Sequence, residues 1–209
     1  DDGVGAVIAK LKETSVFENT IVFFLTDNGG AKGMQADNTP LRGFKASLDE
    51  GGIRTPFIVS WPKRFEGGQT VDTPVISFDI LPTVLEATNS LPASNDFDGK
   101  SLLPLLAGGS SSHHDTLFWS KGEEDEWAVR RGDWKLHYRR GDTELIDLAK
   151  DMSETTDLAG KHPEIVSELS AAFDAWLAPM ADPITGGEKR VDKVSSGQPK
   201  KERKKKRNK

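Results

Sequence analysis

An unbroken apolar run, Ile21-Val22-Phe23-Phe24-Leu25, stops abruptly at Thr26-Asp27-Asn28-Gly29-Gly30. A run of β-favouring residues with no polar alternation suits a central strand covered on both faces, as in the parallel sheets of α/β proteins. Polar residues just past the C-terminal end of such a strand stand where open α/β sheets bind their ligands. The run thus predicts a fold class, α/β, and the position of a site. The Asp27 carboxylate and the Asn28 amide oxygen are hard donors, suited to calcium or magnesium rather than to softer metals. Taken alone, Asp-Asn-Gly-Gly is more often a turn.

The surrounding pattern supports this class. Val4, Val7, Ile8 and Leu11 share one face of an amphipathic helix. Residues 31–54 are rich in Gly, Asn and charge, with no clear period; so long a loop in a compact domain is functional or disordered. Thr55 to Trp61 reads as a second buried strand stopped by Pro62. Ser77 to Thr88 reads as a helix that tolerates Pro82 only near its first turn. From about Thr116 the pattern changes to short strands: Thr116–Ser120, Trp127–Arg131, Trp134–Arg139 and Thr143–Leu148. Gly132-Asp133 and Gly141-Asp142 are read as turns of an antiparallel meander. Pro163 then opens a helix whose Ile165, Leu169, Phe173 and Trp176 share a face. The expected division is residues 1–110 as a portion of an α/β domain, 111–180 as a small antiparallel sheet with a C-terminal helix, and 181–209 as a disordered basic tail.

Composition narrows the function. The chain has 209 residues and a net charge of −5, and residues 200–209 alone carry +7, which leaves −12 on the rest. An acidic body argues against nucleic acid as a partner. There is no cysteine, hence no disulfide and no thiolate site. No apolar stretch approaches the roughly 20 residues of a membrane span. Asp1 and Asp2 open the chain without a basic n-region, so its start is not a signal peptide, and it is expected to begin inside a larger protein.

A second informative stretch is Asn38 to Trp61. Lys45 sits in a Gly-containing loop, where a flexible cation can meet an oxyanion as a point charge; the plainer reading is a solvated surface lysine. Glu50 and Arg54, four apart, can pair and fix the loop against the next strand. Together the two stretches resemble the formylglycine-dependent, arylsulfatase-like sulfatases. The resemblance rests on Thr26-Asp27-Asn28-Gly29, Leu41-Arg42-Gly43-Phe44-Lys45, Glu50-Gly51-Gly52-Ile53-Arg54-Thr55-Pro56 and Trp61-Pro62, in that order. Asp79-Ile80-Leu81-Pro82-Thr83, Asp98-Gly99-Lys100-Ser101-Leu102-Leu103-Pro104 and Arg131-Gly132-Asp133-Trp134-Lys135-Leu136 extend it to about residue 180.

The resemblance implies the C-terminal part of an alkaline-phosphatase-like fold: the end of a large α/β sheet, then a small antiparallel sheet with a C-terminal helix. It implies hydrolysis of sulfate esters, of a sulfated small molecule or glycan, with calcium and a formylglycine nucleophile. Asp27 and Asn28 become calcium ligands and Lys45 a contact to the sulfate. It also implies a partner in the missing N-terminal half of the same protein, and a periplasmic or extracellular setting. The family's nucleophile motif, C/S-x-P-x-R, is expected upstream, so the fragment is expected to be inactive alone. Ser60-Trp61-Pro62-Lys63-Arg64 fits that motif formally but follows Asp27-Asn28, and no L-x-T-G-R comes after it; it is read as coincidence. A phosphoester or phosphonate hydrolase of the same fold and a non-catalytic remnant are the competing readings. The Leu41–Lys45 and Glu50–Arg54 stretches favour sulfate over phosphate. His113 and His114, beside a serine run, read as exposed loop, and His137 as structural. The aromatics of residues 118–134 read as sheet packing rather than a sugar platform.

Overall fold

The computed structural model describes residues 1–94, 96–109, 113–122 and 125–181. The expected basic tail therefore lies, apart from Ala181, outside the described residues. Helix α1 (Asp2–Glu13) follows the predicted stripe, with Asp2 in its first turn and Lys10 and Lys12 in its last, where each charge complements the helix dipole. A single 3-10 turn, Phe17–Asn19, leads into β1 (Val22–Leu25). After a long loop and the one-turn helix α2 (Glu50–Ile53) comes β2 (Phe57–Ser60), which pairs antiparallel with β1: Val22 lies opposite Ser60 and Leu25 opposite Phe57.

This differs from the expectation for β1. Among the described residues it has one neighbouring strand, which is antiparallel, and no β1 side chain is fully buried. Phe24 is 41% exposed and Ile58 on β2 58%. An apolar run reports what a strand is able to bury; it does not say which neighbours supply the cover.

Ser77–Asp79 form a 3-10 turn that continues as α3 (Ile80–Ala87), and Pro82 falls in its first turn, where a missing N–H leaves no helical bond unmade. The buried Asp79 carboxylate accepts the backbone N–H of Ile76 (3.0 Å) and of Lys100 (2.8 Å). Thr83 donates to the Asp79 carbonyl (2.5 Å) and accepts from the Leu102 N–H (2.8 Å). A Cβ on Gly99 would lie 2.1 Å from the Phe78 carbonyl oxygen. The Asp79–Thr83 and Asp98–Pro104 motifs are therefore two sides of one joint, and the short helix α4 (Leu103–Leu106) follows it.

Strands β3 (Leu117–Ser120), β4 (Glu126–Arg131), β5 (Trp134–Arg139) and β6 (Asp142–Asp147) form the predicted meander in chain order. One turn is displaced from its expected place. It is Arg140-Gly141, with φ 52° and 98°, and Asp142 already belongs to β6. Positive φ at both residues of a two-residue loop is the type I′ hairpin, whose twist matches that of its strands.

Strand alternation sorts this sheet into two faces. Val129, Leu136 and Leu145 meet Leu169 and Phe173 of α5 (Pro163–Leu177) in the one buried apolar cluster found among the described residues. Trp127 stacks on Phe173 with ring centroids 4.3 Å apart, and Phe118 on Trp176 at 5.1 Å. Of the aromatics of residues 118–134, Phe118, Trp127 and Trp134 pack against this cluster, as expected. On the opposite face the register sets Glu126 beside Arg139, Arg130 beside Lys135, and Glu144 beside His137.

Candidate active site

The loop from Gly29 to Arg54 is built around close backbone contacts. The Gly29 N–H donates to the Gly52 carbonyl (2.9 Å), and the Gly51 N–H to that of Arg42 (2.7 Å). A Cβ on Gly29 would sit 1.7 Å from the Gly51 oxygen, one on Gly51 2.5 Å from the Arg42 oxygen, and one on Gly52 2.2 Å from the Ser47 oxygen. Only glycine permits that approach. The three glycine-bearing motifs are thus facing sides of a single knot.

Asn38 closes it. Its amide oxygen accepts the Gly30 N–H (3.0 Å), and its amide nitrogen donates to the carbonyls of Gly30 (3.1 Å) and Gly43 (3.0 Å). The Lys45 N–H also donates to the Gly30 carbonyl (3.0 Å). The backbone of Lys45 is therefore bonded two residues beyond Asn28, at the end of β1. No hydrogen bond or ion pair engages the side chains of Asp27, Asn28 or Lys45 among the described residues, and Asp27 and Lys45 are exposed. Two hard oxygen donors left uncommitted at a strand end suit a cation such as calcium.

Lys45 also lines an open cleft of about 390 Å³ that it shares with Lys32, Lys121, Arg139 and Arg140, tempered by Asp49 and Glu126. Five basic side chains against two carboxylates give this cleft a net positive lining on an acidic chain.

The charged face of the small sheet braces the knot from behind. Lys135, fully buried, donates to Glu50 (2.8 Å) and to Glu154 (2.8 Å). The other Glu154 oxygen accepts the Glu50 N–H at the start of α2 (2.7 Å). Arg54 approaches Glu50 at 3.7 Å, as their spacing allowed. Arg42 joins Asp49 (2.9 Å), Glu144 (2.6 Å) and the Glu154 carbonyl (2.7 Å). Asp49 also accepts from Ser47 and from Arg139 (2.9 Å). His137 lies between Glu126 (2.9 Å) and Asp49 (3.4 Å), the structural role its strand position suggested. Burial disfavours ionising Asp49, yet the adjoining His137 ring, the Ser47 hydroxyl and the charges of Arg42 and Arg139 outweigh it and hold the carboxyl far below its usual range. Glu126 is lowered against burial in the same way, by Lys121, His137 and Arg139.

Sequence reading missed this brace. Its one available signal was the alternation Lys135, His137, Arg139, which puts three nitrogen-bearing side chains on one face of β5. His113 and His114 are a correction. They are not an exposed loop, for their side chains are only 9% and 6% exposed and both adjoin Asp79. Ser60, the formal nucleophile match, lies at the far end of the β1–β2 ladder from Leu25. Three residue steps along a strand separate it from Phe57 by roughly 10 Å, so it is remote from the Asp27 end.

Comparison with known proteins agrees with the motifs. The Sulfatase family model matches residues 1–90. An arylsulfatase of Hemicentrotus pulcherrimus is 36% identical over 66% of this chain and 25% of its own length. A sulfatase of Formosa agariphila is 31% identical over 93% of this chain and 41% of its own. The crystal structure of Ps i-CgsB in complex with k-i-k-neocarrahexaose superposes with a TM-score of 0.81 at 26% identity, covering 90% of this chain and 43% of that one. The chain thus spans a quarter to two-fifths of the length of these relatives. Its architecture, two strands of an α/β layer followed by a meander and helix, is part of the alkaline-phosphatase-like sulfatase fold. Ordered motifs, matched sequence and superposed structure agree that the chain belongs to the sulfatase family.

Proposed function

We propose that the whole protein hydrolyses sulfate esters and that this chain contributes two positive centres to the site, a calcium ion held by Asp27 and Asn28 and the ammonium of Lys45. The observation that carries the proposal is the single knot joining the end of β1 to Lys45 through Gly30, with all three glycine motifs packed into it. Bound calcium would neutralise negative charge on the sulfate oxygens. Asp27 and Asn28 supply its hard oxygen ligands from this chain. Lys45 places a flexible point charge where charge grows during S–O cleavage. Glu50, Asp49 and their partners on the small sheet hold the loop so that these groups need no reorganisation during reaction.

The formylglycine nucleophile implied by the resemblance has no counterpart among the 209 residues once Ser60 is set aside. These residues alone should therefore turn over no aryl sulfate. Glycan sulfates are the favoured substrates: the cleft beside Lys45 is cationic, and Ps i-CgsB was crystallised with an oligosaccharide. A periplasmic or extracellular setting fits that substrate class; among the described residues no helix is long and apolar enough to cross a membrane.

Substitutions in the whole protein test the roles. Asp27→Ala should lower calcium content and activity together, with partial rescue by added calcium. Asn28→Ala should act likewise but more mildly. Lys45→Ala should leave calcium content near wild type and lower turnover roughly 100- to 1,000-fold. Normal turnover by Lys45→Ala, or full calcium and activity in Asp27→Ala, would remove the corresponding assignment.

A further inference from the structure

Away from the Lys45 cleft, three ligand-bearing side chains converge on the start of α3. His114 Nε2 lies 2.8 Å from Asp79 Oδ1, and His113 Nε2 lies 3.4 Å from Asp79 Oδ2. The two imidazoles meet edge to face, with centroids 4.8 Å apart and planes at 87°. One ligand atom from each of the three residues falls within 4.8 Å of the others. Asp79 is fully buried, and its carboxylate is aimed by the N–H groups of Ile76 and Lys100.

His113 Nε2 is the atom that a purely hydrogen-bonded account leaves poorly served. Its recorded contacts are Asp79 Oδ2 at 3.4 Å and the Lys100 carbonyl at 3.3 Å, both at the outer limit of a hydrogen bond. A ring so little exposed gains little from such contacts while losing its water.

We propose that Asp79, His113 and His114 bind a divalent transition-metal ion of the zinc class, at a site separate from Asp27 and Asn28. Two imidazole nitrogens and a carboxylate suit zinc, cobalt or nickel and not calcium. Bonds of about 2.0–2.1 Å place neighbouring ligand atoms of a tetrahedral ion roughly 3.3–3.5 Å apart. The 3.4 Å from His113 Nε2 to Asp79 Oδ2 is of this size, while His114 faces the other oxygen, Oδ1, and ligand atoms spread over as much as 4.8 Å must close on the ion. The His114–Asp79 separation of 2.8 Å must open by about half an ångström as the ion takes the place of the proton between them. The backbone N–H groups on Asp79 are the outer contacts that usually orient a ligating carboxylate. His114 stands three residues before β3, so the ion would tie the start of α3 to the entrance of the small sheet.

The test is titration of the purified chain with cobalt(II) in excess calcium, followed by visible absorption, by imidazole NMR and by thermal unfolding. The chain has four histidines, so their signals separate the sites. Expected are one tightly bound equivalent, perturbation of His113 and His114 but not of His137 or His162, and a cobalt-dependent rise in melting temperature. His113→Gln should weaken binding by more than ~100-fold, beyond the ~10- to 100-fold typical of losing a group that only orients a ligand. The control His162→Gln should bind as wild type. The proposal fails if saturating cobalt leaves the His113 and His114 signals in place, or if folded His113→Gln binds as tightly as wild type. Should His113→Gln not fold, the wild-type imidazole signals decide the matter alone.

Discussion

The two faces of the four-stranded sheet show two ways of using burial. Toward α5, Val129, Leu136 and Leu145 make an apolar core that holds the unit together. Toward the knot, buried Lys135 and His137 and the more exposed Arg139 meet the carboxylates of Glu50, Glu154, Asp49 and Glu126. Apolar contact is non-directional and tolerates sliding, whereas paired charges fix a register. The first face stabilises; the second positions the loop that carries Lys45.

Lys135 and Leu136 are sequence neighbours on opposite faces, so they separate the two effects most sharply. Lys135→Ala should cost the most, about 3–5 kcal/mol, because it strands Glu50 and Glu154 in a buried setting. Urea unfolding would measure it; a loss below about 1 kcal/mol, the range of a surface pair, would reduce the brace to an exposed contact. Leu136→Ala should cost about 2–5 kcal/mol through the cavity it leaves against α5. Phe23→Ala on the half-buried β1 should cost clearly less in the same chain, and equal costs would erase the distinction between packed sheet and open strands.

Gly29→Ala probes the knot without touching either face. With an added Cβ only 1.7 Å from the Gly51 oxygen, the backbone must shift, at a cost of about 1–3 kcal/mol. Amide exchange should quicken around residues 29–52, while the near-ultraviolet signal of Trp127 stays native.

A smaller effect is expected from acid. The Asp49 carboxyl is held below its ordinary 3.8, so its stabilisation is complete above that value and is lost as pH falls toward the folded value. Asp49→Asn should therefore be less stable than wild type near neutrality, and the gap should narrow between about pH 5 and about pH 2. A constant gap across that window would mean that Asp49 acts through shape and not charge. The smallest effect belongs to the tail: deleting residues 197–209 should leave the whole protein's rate on a small sulfate ester within error, since those residues have no apolar period to pack.

Much of the fold was legible because its signals are local. The stripe of α1, the meander and the face of α5 each repeat over a few residues, and hydrophobic period reports secondary structure directly. The displaced hairpin turn shows the limit of local reading. Glycine is permissive at either of two turn positions, and pairing across β5 and β6 chose Arg140-Gly141 over Gly141-Asp142. At the site, Asp27, Asn28 and Lys45 were legible as motif residues. Their supports were not, since Lys135 meets Glu50 across 85 positions and Arg42 meets Glu144 across 102.

By itself, then, the sequence determined the order of the strands and of the three longer helices, the glycine motifs, and the residue types offered at the end of β1. These follow from side-chain period and backbone freedom, properties each segment carries alone. Only the tertiary structure decided that Gly29 must meet Gly51, that Lys135 is buried between two glutamates, and that His113 and His114 turn inward onto Asp79. Each of those facts depends on the path that brings distant segments together, and a charge has no local pattern that names its partner.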